Sequence, residues 1–127
     1  MDKLSPTRQE IEALRARAPE GPVLVINLLK FKPGPDALAA YRRYLDLSAS
    51  ARHPDCTVIH IGPAFHDFGS GQDWDYVIIA SYPRFADFAW TVTHAAWERA
   101  ARERPAALER TVMLVTSAGN PEVDFAG

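Results

Sequence analysis

The chain contains four short runs that are rich in apolar and β-branched residues, a composition that favours β-strands. Glycine or proline lies at the end of each run, as expected where a strand gives way to a turn. The predicted strands cover residues 21–33, 56–62, 74–82 and 110–117. The glycine-containing loop 67–73 joins the second and third strands, which we therefore expect to form an antiparallel hairpin.

Two helices are predicted before the second strand. Ser5 and Pro6 indicate the start of the first, because serine suits the N-cap and proline the first helical position. Asp36 is expected to cap a second helix that runs to about Ser50. The apolar face predicted for this second helix consists of Ala37, Leu38, Tyr41, Tyr44, Leu45 and Leu47.

Pro83 is expected to begin a further helical segment, and Pro105 a last turn or two. The β-branched run 91–93 loses rotamer freedom in a helix and is expected to divide this segment into two pieces. One predicted stripe of the segment consists of Trp90, His94, Trp97 and Ala101.

These elements follow one another in the order β-α-β-β-α-β, with an additional N-terminal helix. That order predicts an α+β, ferredoxin-like fold, in which a four-stranded antiparallel sheet carries its helices on one face. Residues 1–127 are enough for a single domain. Within it we expect an N-terminal arm (5–18), a ferredoxin-like core (22–117) and a mobile tail (118–127).

The first and third predicted strands are apolar on both faces. Val23–Ile26 and Tyr76–Ile79 contain no alternating polar residues, whereas a sheet with one face in water normally alternates. Because the helices cover one face only, the other face needs a different cover. We therefore expect a homodimer in which two copies pack sheet face against sheet face.

Composition and charge limit the classes of function. The formal net charge of −2 gives no general electrostatic attraction to nucleic acid or to an anionic membrane. The N-terminus lacks the apolar stretch of a signal peptide, and no run reaches the roughly 18 apolar residues of a membrane span. The one cysteine, Cys56, allows no intrachain disulfide and fits a reducing compartment, so we expect a cytoplasmic protein.

Several short motifs, taken in order, resemble a known family. They are Asn27-Leu-Leu-Lys-Phe31, Tyr41-x-x-Tyr44, Trp74-Asp75, Tyr82-Pro83 and Arg104-x-x-x-Leu108. The pattern resembles a bacterial family of unknown function in the dimeric α/β-barrel (ferredoxin-like) superfamily, over roughly residues 22–117. The chain departs from the pattern at Arg84, where a serine is usual, and at Trp97, where a tyrosine is usual.

The resemblance implies the fold and dimerisation but no reaction, because the family has none assigned. Relatives in the superfamily include cofactor-free oxygenases, haem-degrading enzymes, lactone isomerases and dye-decolourising peroxidases, and the fold alone does not choose among them. Asn27, Trp74 and His94 are similar to the Asn, Trp and His of haem-degrading relatives, whose histidine ligates the haem. The spacing from Trp74 to His94 differs from theirs.

Polar side chains on otherwise apolar surfaces are the candidates for a site between sheet and helices. Asn27 shares a strand face with Val23 and Val25, so its amide either bonds the backbone or orients a ligand. Tyr41 and Tyr44 lie one helical turn apart, and they either belong to the core or hydrogen-bond a ligand.

Two residues are candidates for acid–base chemistry. His94 titrates near neutral pH and either acts on a ligand or bonds a backbone carbonyl at a helix end. Asp75 is either a general base or an acid that pairs with Arg104 or Arg110 at the sheet edge. Other histidines and aspartates lack metal-ligand spacing, so no metal is expected. Arginines and glutamates alternate over residues 98–110, which predicts a solvated face of mixed charge.

These candidates lead to three hypotheses and leave open whether the protein is an enzyme. In the first, a homodimer binds a small apolar or aromatic metabolite between sheet and helices, with cofactor-free oxygenase or isomerase chemistry in which His94 or Asp75 is the base. The second is a non-catalytic dimeric structural or binding module, and the third is a haem-binding or haem-degrading protein. We expect no cofactor. The predicted ligand-binding residues are Asn27, Tyr41, Tyr44, Trp74, Tyr82 and Trp97.

Overall fold

The structure, a computed structural model, describes residues 4–127. Its helices are α1 (Arg8–Arg15), α2 (Pro35–Ala49), α3 (Phe85–Thr93), α4 (Ala95–Ala101), α5 (Arg104–Ala107) and α6 (Pro121–Asp124). Its strands are β1 (Val23–Phe31), β2 (Thr57–Pro63), β3 (Tyr76–Tyr82) and β4 (Leu108–Ser117). No helix within the described range is long and apolar enough to cross a membrane.

The four strands form one antiparallel sheet in the order β2-β3-β1-β4. This arrangement confirms the predicted α+β, ferredoxin-like fold. The two runs that lack polar alternation, β1 and β3, are the central strands. Asn27 lies in the middle of β1, opposite Ile78 of β3 on one side and Met113 of β4 on the other.

Successive residues of β1 point to opposite sides of the sheet. Val23, Val25 and Leu29 are at most 3% exposed, because they pack against helical residues in the core. We call this side the inner face, and Asn27 shares its parity. The even-numbered residues of β1, beginning with Leu24, lie on the outer face. The sequence does not determine which face of β1 meets the helices. The burial of Val23, Val25 and Leu29 shows that it is the face with odd-numbered residues.

The N-terminal arm packs on the core, but its helix begins two residues later than predicted. The N-cap is Thr7 and not Ser5: the Thr7 hydroxyl accepts a hydrogen bond from the Glu10 N–H at 3.2 Å. The Glu10 carboxylate in turn accepts from the Thr7 N–H at 2.9 Å, which completes a capping box. Pro6 therefore precedes the cap. Ile11, on the buried side of α1, is 3% exposed.

Helix α2 begins two residues earlier than predicted. Gly34 is its N-cap, at a φ of +98° that favours glycine, and Pro35 occupies the first helical position. Asp36 lies in the first turn, where a carboxylate suits the helix dipole. The predicted apolar face is too broad, since its leucines lie toward solvent. The exposed leucines are Leu38, Leu45 and Leu47.

The second helical segment is divided one residue beyond the β-branched run. His94 adopts an extended conformation with ψ of 138°, so α3 ends before it and α4 begins after it. The predicted stripe is therefore not one face of a helix. Trp97 is 4% exposed, whereas Trp90 is 44% exposed and His94 lies toward solvent.

The first residue of β3 and that of β4 each lie two positions from the predicted start. β3 begins at Tyr76, and Trp74 belongs to the preceding loop, where its indole N–H donates to the Asp67 carboxylate at 3.1 Å. β4 begins at Leu108, directly after α5. The tail contains the single exposed turn α6.

Asp87 joins the start of α3 to the loop that follows α2. Its carboxylate, 4% exposed, accepts a hydrogen bond from Arg84 Nη2 at 2.9 Å and lies 3.4 Å from His53 Nε2. The hydrogen bond from Arg84 outweighs the opposing effect of burial and holds the pKa of the Asp87 carboxyl below its usual range. The ionised form therefore stabilises the fold.

Acid is expected to destabilise the protein partly through Asp87. A lowered carboxyl pKa contributes stability that is present above the unfolded value, about 3.9, and is lost as pH falls through the folded value. Asp87→Asn should lower the free energy of unfolding at neutral pH by about 1–2 kcal/mol, since Arg84 is partly screened by solvent. The variant should also show a shallower loss of stability in acid, measured by urea unfolding. Asp46→Asn, exposed on α2, is the control, and an equal change in both variants would contradict the assignment.

Candidate functional site

A small cavity lies between the inner face of the sheet and the helices. We call it the central cavity, and its volume is about 70 Å³. Strands β1 to β4 and helices α2 to α5 all contribute to its walls. Five of the predicted ligand-binding residues line it: Asn27, Tyr41, Tyr44, Tyr82 and Trp97. Two arginines, Arg52 and Arg104, line it as well.

Asn27 places an amide on the inner face at the centre of the sheet. Its Nδ2 donates to the Ile78 carbonyl at 3.5 Å, which is long for a hydrogen bond. An asparagine side chain offers two N–H donors and a carbonyl acceptor. This long bond is the only one that the structure assigns to the Asn27 amide within residues 4–127, so most of its bonding capacity remains for the cavity.

Tyr41 and Tyr44 belong to a column of aromatic rings. The Tyr41 ring centroid lies 5.2 Å from that of Phe31 and 5.2 Å from that of Tyr44. Tyr44 in turn meets Trp97 edge to face at 6.4 Å. These are favourable aromatic geometries. The two tyrosines are thus both core residues and walls of the central cavity.

Arg104 is buried, with 1% of its surface exposed. Its Nε and Nη2 donate to the Leu4 carbonyl at 3.1 and 2.8 Å. The guanidinium carbon lies 5.1 Å from the Tyr44 ring centre, within range of a cation–π contact. The ion pairs found within residues 4–127 use other basic residues. Arg104 is therefore a buried cation without a carboxylate partner in the described part of the chain.

The sequence prediction for Arg104 was wrong. We expected it on a solvated face, and its neighbours Arg102 and Glu109 do lie toward solvent. The start of α5 at Arg104 turns this one side chain inward. Two signals pointed to it: Arg104 precedes Pro105, as at a helix start, and it belongs to one of the motifs of the resemblance.

Burial changes the acidity of two tyrosines in the cavity wall. It raises the pKa of the Tyr41 phenol well above the usual range, and Arg104 opposes this only weakly. Burial likewise raises the pKa of Tyr82, with a further contribution from Cys56. Both phenols stay protonated at neutral pH, so they are hydrogen-bonding groups and not bases.

The two predicted acid–base residues lie outside the central cavity. His94 is exposed, and its ring stacks on Trp90 at 4.6 Å with an interplanar angle of 14°. Asp75 accepts from the Phe31 N–H at 2.8 Å and lies 3.5 Å from Lys30 Nζ. Its basic partner is Lys30, and neither Arg104 nor Arg110 as expected.

Trp74 lies in a different place from the other predicted ligand-binding residues. Its ring is covered by the Arg110 guanidinium at 4.8 Å. With Leu28 and Val77 of the outer face, it lines a hollow of about 480 Å³ under the loop between β2 and β3. The sheet therefore separates Trp74 from Asn27, and the set of Asn27, Trp74 and His94 is not assembled.

A further cavity, of about 260 Å³, lies beneath the N-terminal arm. It shares Phe88 and Met113 with the central cavity, and its walls are largely apolar. Two of its polar residues already serve the fold: Thr111 donates to the Leu28 carbonyl at 2.8 Å, and Glu10 caps α1. The central cavity, where unused polar groups converge, is the stronger candidate site.

No family model matches this chain, and no curated protein does. Solved structures do. A protein of unknown function from Rhodopseudomonas palustris, RPA0582, is similar at 26% identity with a TM-score of 0.80, over 95% of this chain and 100% of that one.

Two more distant structures share the fold. A dimeric protein of unknown function with a ferredoxin-like fold, from Bacteroides fragilis, has 14% identity and a TM-score of 0.58, over 76% of this chain and 96% of its own. A putative antibiotic biosynthesis monooxygenase from Caulobacter crescentus has 17% identity and a TM-score of 0.63, over 85% of this chain and 99% of its own. The similarities confirm the ferredoxin-like fold and the resemblance to bacterial proteins of unknown function.

Trp97 and His94 are expected to differ sharply in their contribution to stability. Trp97→Ala removes a buried ring that supports Tyr44 and should lower the free energy of unfolding by about 3–5 kcal/mol. His94→Ala, at an exposed position between two helices, should change it by less than about 0.5 kcal/mol. Chemical denaturation of both variants measures the difference. A large loss in His94→Ala would show that the exposed stack on Trp90 is structural.

Proposed function

We propose that this protein is a homodimer that binds a small organic molecule in the central cavity. The observation that supports this best is the convergence of Asn27, Tyr41 and Arg104 on one buried space. A core that served stability alone would be filled by apolar side chains, because each buried polar group must regain the hydrogen bonds it made to water. Here the amide of Asn27 and the guanidinium of Arg104 keep bonding capacity that the fold does not use.

The cavity volume limits the size of the ligand. About 70 Å³ is space for roughly five water-sized groups, at about 10–15 Å³ each. Pockets for drug-sized ligands are larger, about 300–1,000 Å³. We therefore narrow the expected apolar or aromatic metabolite to a molecule of about four to six heavy atoms.

Binding without catalysis fits this site better than cofactor-free oxidation or isomerisation. Both reactions require a base beside the ligand. His94 and Asp75, the predicted bases, lie outside the central cavity, and Tyr41 and Tyr82 hold their protons. A haem site also lacks support, because His94 and Trp74 do not lie in the central cavity with Asn27.

The outer face of the sheet supports the proposed dimer. Cross-strand pairing aligns two apolar rows: Leu114, Ile26 and Ile79 in one, and Val112, Leu28 and Val77 in the next. Leu114 is 53% and Val112 38% exposed, although their neighbours are apolar. A continuous apolar surface of this kind marks an interaction site. A second copy supplies the same surface, so a two-fold axis can pair each row with itself.

Replacement of Leu114 is expected to separate the dimer. Leu114→Glu should leave the fold of the chain intact, because the side chain is half exposed, but it places a carboxylate in the apolar row. Size-exclusion chromatography with light scattering should give the mass of two chains for the wild type and of one chain for the variant. Leu47→Glu, at a leucine that is 50% exposed on α2, is the matched control and should remain dimeric. A wild type with the mass of one chain would contradict the proposal.

Closing the cavity should abolish binding. Val58 lines the central cavity from edge strand β2 and is 38% exposed, so Val58→Phe can fill the space without opening the core. Ile61→Phe, on the same strand and face at 54% exposed, lies outside the lining and is the control. Titration with acetone, propanamide and propanoate is followed through the NMR signal of the Asn27 side-chain amide.

At least one of these three probes should shift the Asn27 amide signal in the wild type and in Ile61→Phe, and none should in Val58→Phe. Absence of any shift in the wild type, or an equal shift in Val58→Phe, would refute a binding site in the central cavity.

A further inference from the structure

The charged groups around the central cavity have one sign. Arg52 and Arg104 line it, and none of the described residues in its lining is an aspartate or a glutamate. The acidic residue next to Arg104, Glu103, is bonded to Arg43 at 3.3 Å, away from the cavity. Positive charge enclosed by low-dielectric walls attracts an anion more strongly than the same charge would in water.

Arg104 is the more constrained of the two cations. A buried charge is normally paired, because removal from water without a partner is costly. The contacts of Arg104 are the Leu4 carbonyl, the Tyr44 ring and the phenol oxygen of Tyr41, which accepts a hydrogen bond from the guanidinium. Carbonyl, hydroxyl and ring contacts compensate partly, but none of them is a carboxylate that would neutralise the positive charge within residues 4–127.

The geometry of the guanidinium leaves a specific opening. Of its five N–H donors, the Nε and one Nη2 hydrogen are directed to the Leu4 oxygen. The remaining three are at the Nη end, and that fork matches the two oxygens of a carboxylate. The Tyr41 phenol, which keeps its proton, is a neighbouring donor, and the Asn27 amide lies across the same cavity on β1.

Given the small-molecule site proposed above, we propose that its ligand is a short-chain carboxylate, with the carboxylate on the Arg104 fork and the short carbon chain against the apolar wall. The carboxylate class follows from the unpaired buried cation. The chain length follows from the 70 Å³ cavity, which admits a molecule such as propanoate but not a benzoate or a fatty acid.

The test compares propanoate with propanamide, a neutral molecule of the same size and shape. Titrations followed by NMR report on the Arg104 Nε–H and the Asn27 side-chain amide. We expect propanoate to bind at least about tenfold more tightly than propanamide, because a charge-assisted hydrogen bond contributes a difference in affinity of that size. Octanoate and benzoate should not bind the cavity.

Three variants locate the effect. Arg104→Lys keeps the charge and removes the fork, and Tyr41→Phe removes one donor and keeps the ring; each should weaken propanoate binding and leave the weak propanamide response unchanged. Arg104→Lys could also loosen the N-terminal arm, because Arg104 bonds the Leu4 carbonyl. Tyr41→Phe tests the binding site without changing that contact. Arg43→Met, at an arginine whose side chain is 57% exposed and outside the cavity, should bind propanoate as the wild type does.

The outcomes separate this inference from the proposed function. Equal binding of propanoate and propanamide at the Asn27 amide would overturn the carboxylate assignment and leave a small-molecule site in place. No response to any small molecule would overturn both. Propanoate binding that survives in Arg104→Lys and Tyr41→Phe but is lost in Arg43→Met would place the anion on the surface and refute the assignment.

Discussion

The architecture depends on the position of β1 at the centre of the sheet with apolar residues on both of its faces. The two-residue period of a strand sends Val23 and Val25 toward the helices and Leu24 and Ile26 to the opposite side. The helices of one chain cover only the inner face. The same strand therefore builds the core, leaves an apolar outer face and, at Asn27, introduces an amide into the inner one.

The inner face combines packing with unused polarity. Tyr41, Tyr44 and Trp97 stabilise the core as a column of rings, and the same rings enclose the central cavity. These three residues therefore both stabilise the core and line the central cavity. Arg104 differs from them, because its burial removes a charge from water and its contacts within the described residues are a carbonyl, a phenol oxygen and a ring face, with no carboxylate. A buried charge with too few compensating contacts is expected in a preorganised binding site for a ligand of opposite charge.

The fold was accessible from the sequence because strands and turns are encoded locally, although the N-caps of α1 and α2 each lie two residues from the predicted position. The Asn27 and Tyr41 predictions had the same basis, since parity and helical spacing determine which residues share a face. The misplaced residues depended on the path of loops and helix ends, which residue patterns do not determine. Trp74 was predicted in β3 but lies in the preceding loop, where its indole N–H bonds Asp67. His94 was predicted on a helical stripe, but its backbone is extended between α3 and α4. Arg104 was assigned to solvent because its sequence neighbours are charged, while the turn into α5 directs it inward.

The most direct measurement is a crystal structure of the protein grown with 2-bromopropanoate, using the anomalous signal of bromine. We expect one bromine peak in the central cavity of each protomer, with the carboxylate on the Arg104 fork. We also expect two protomers that face each other through the outer faces of their sheets. A cavity that holds only water, or bromine peaks confined to the surface, would contradict the claim that this buried space is a binding site.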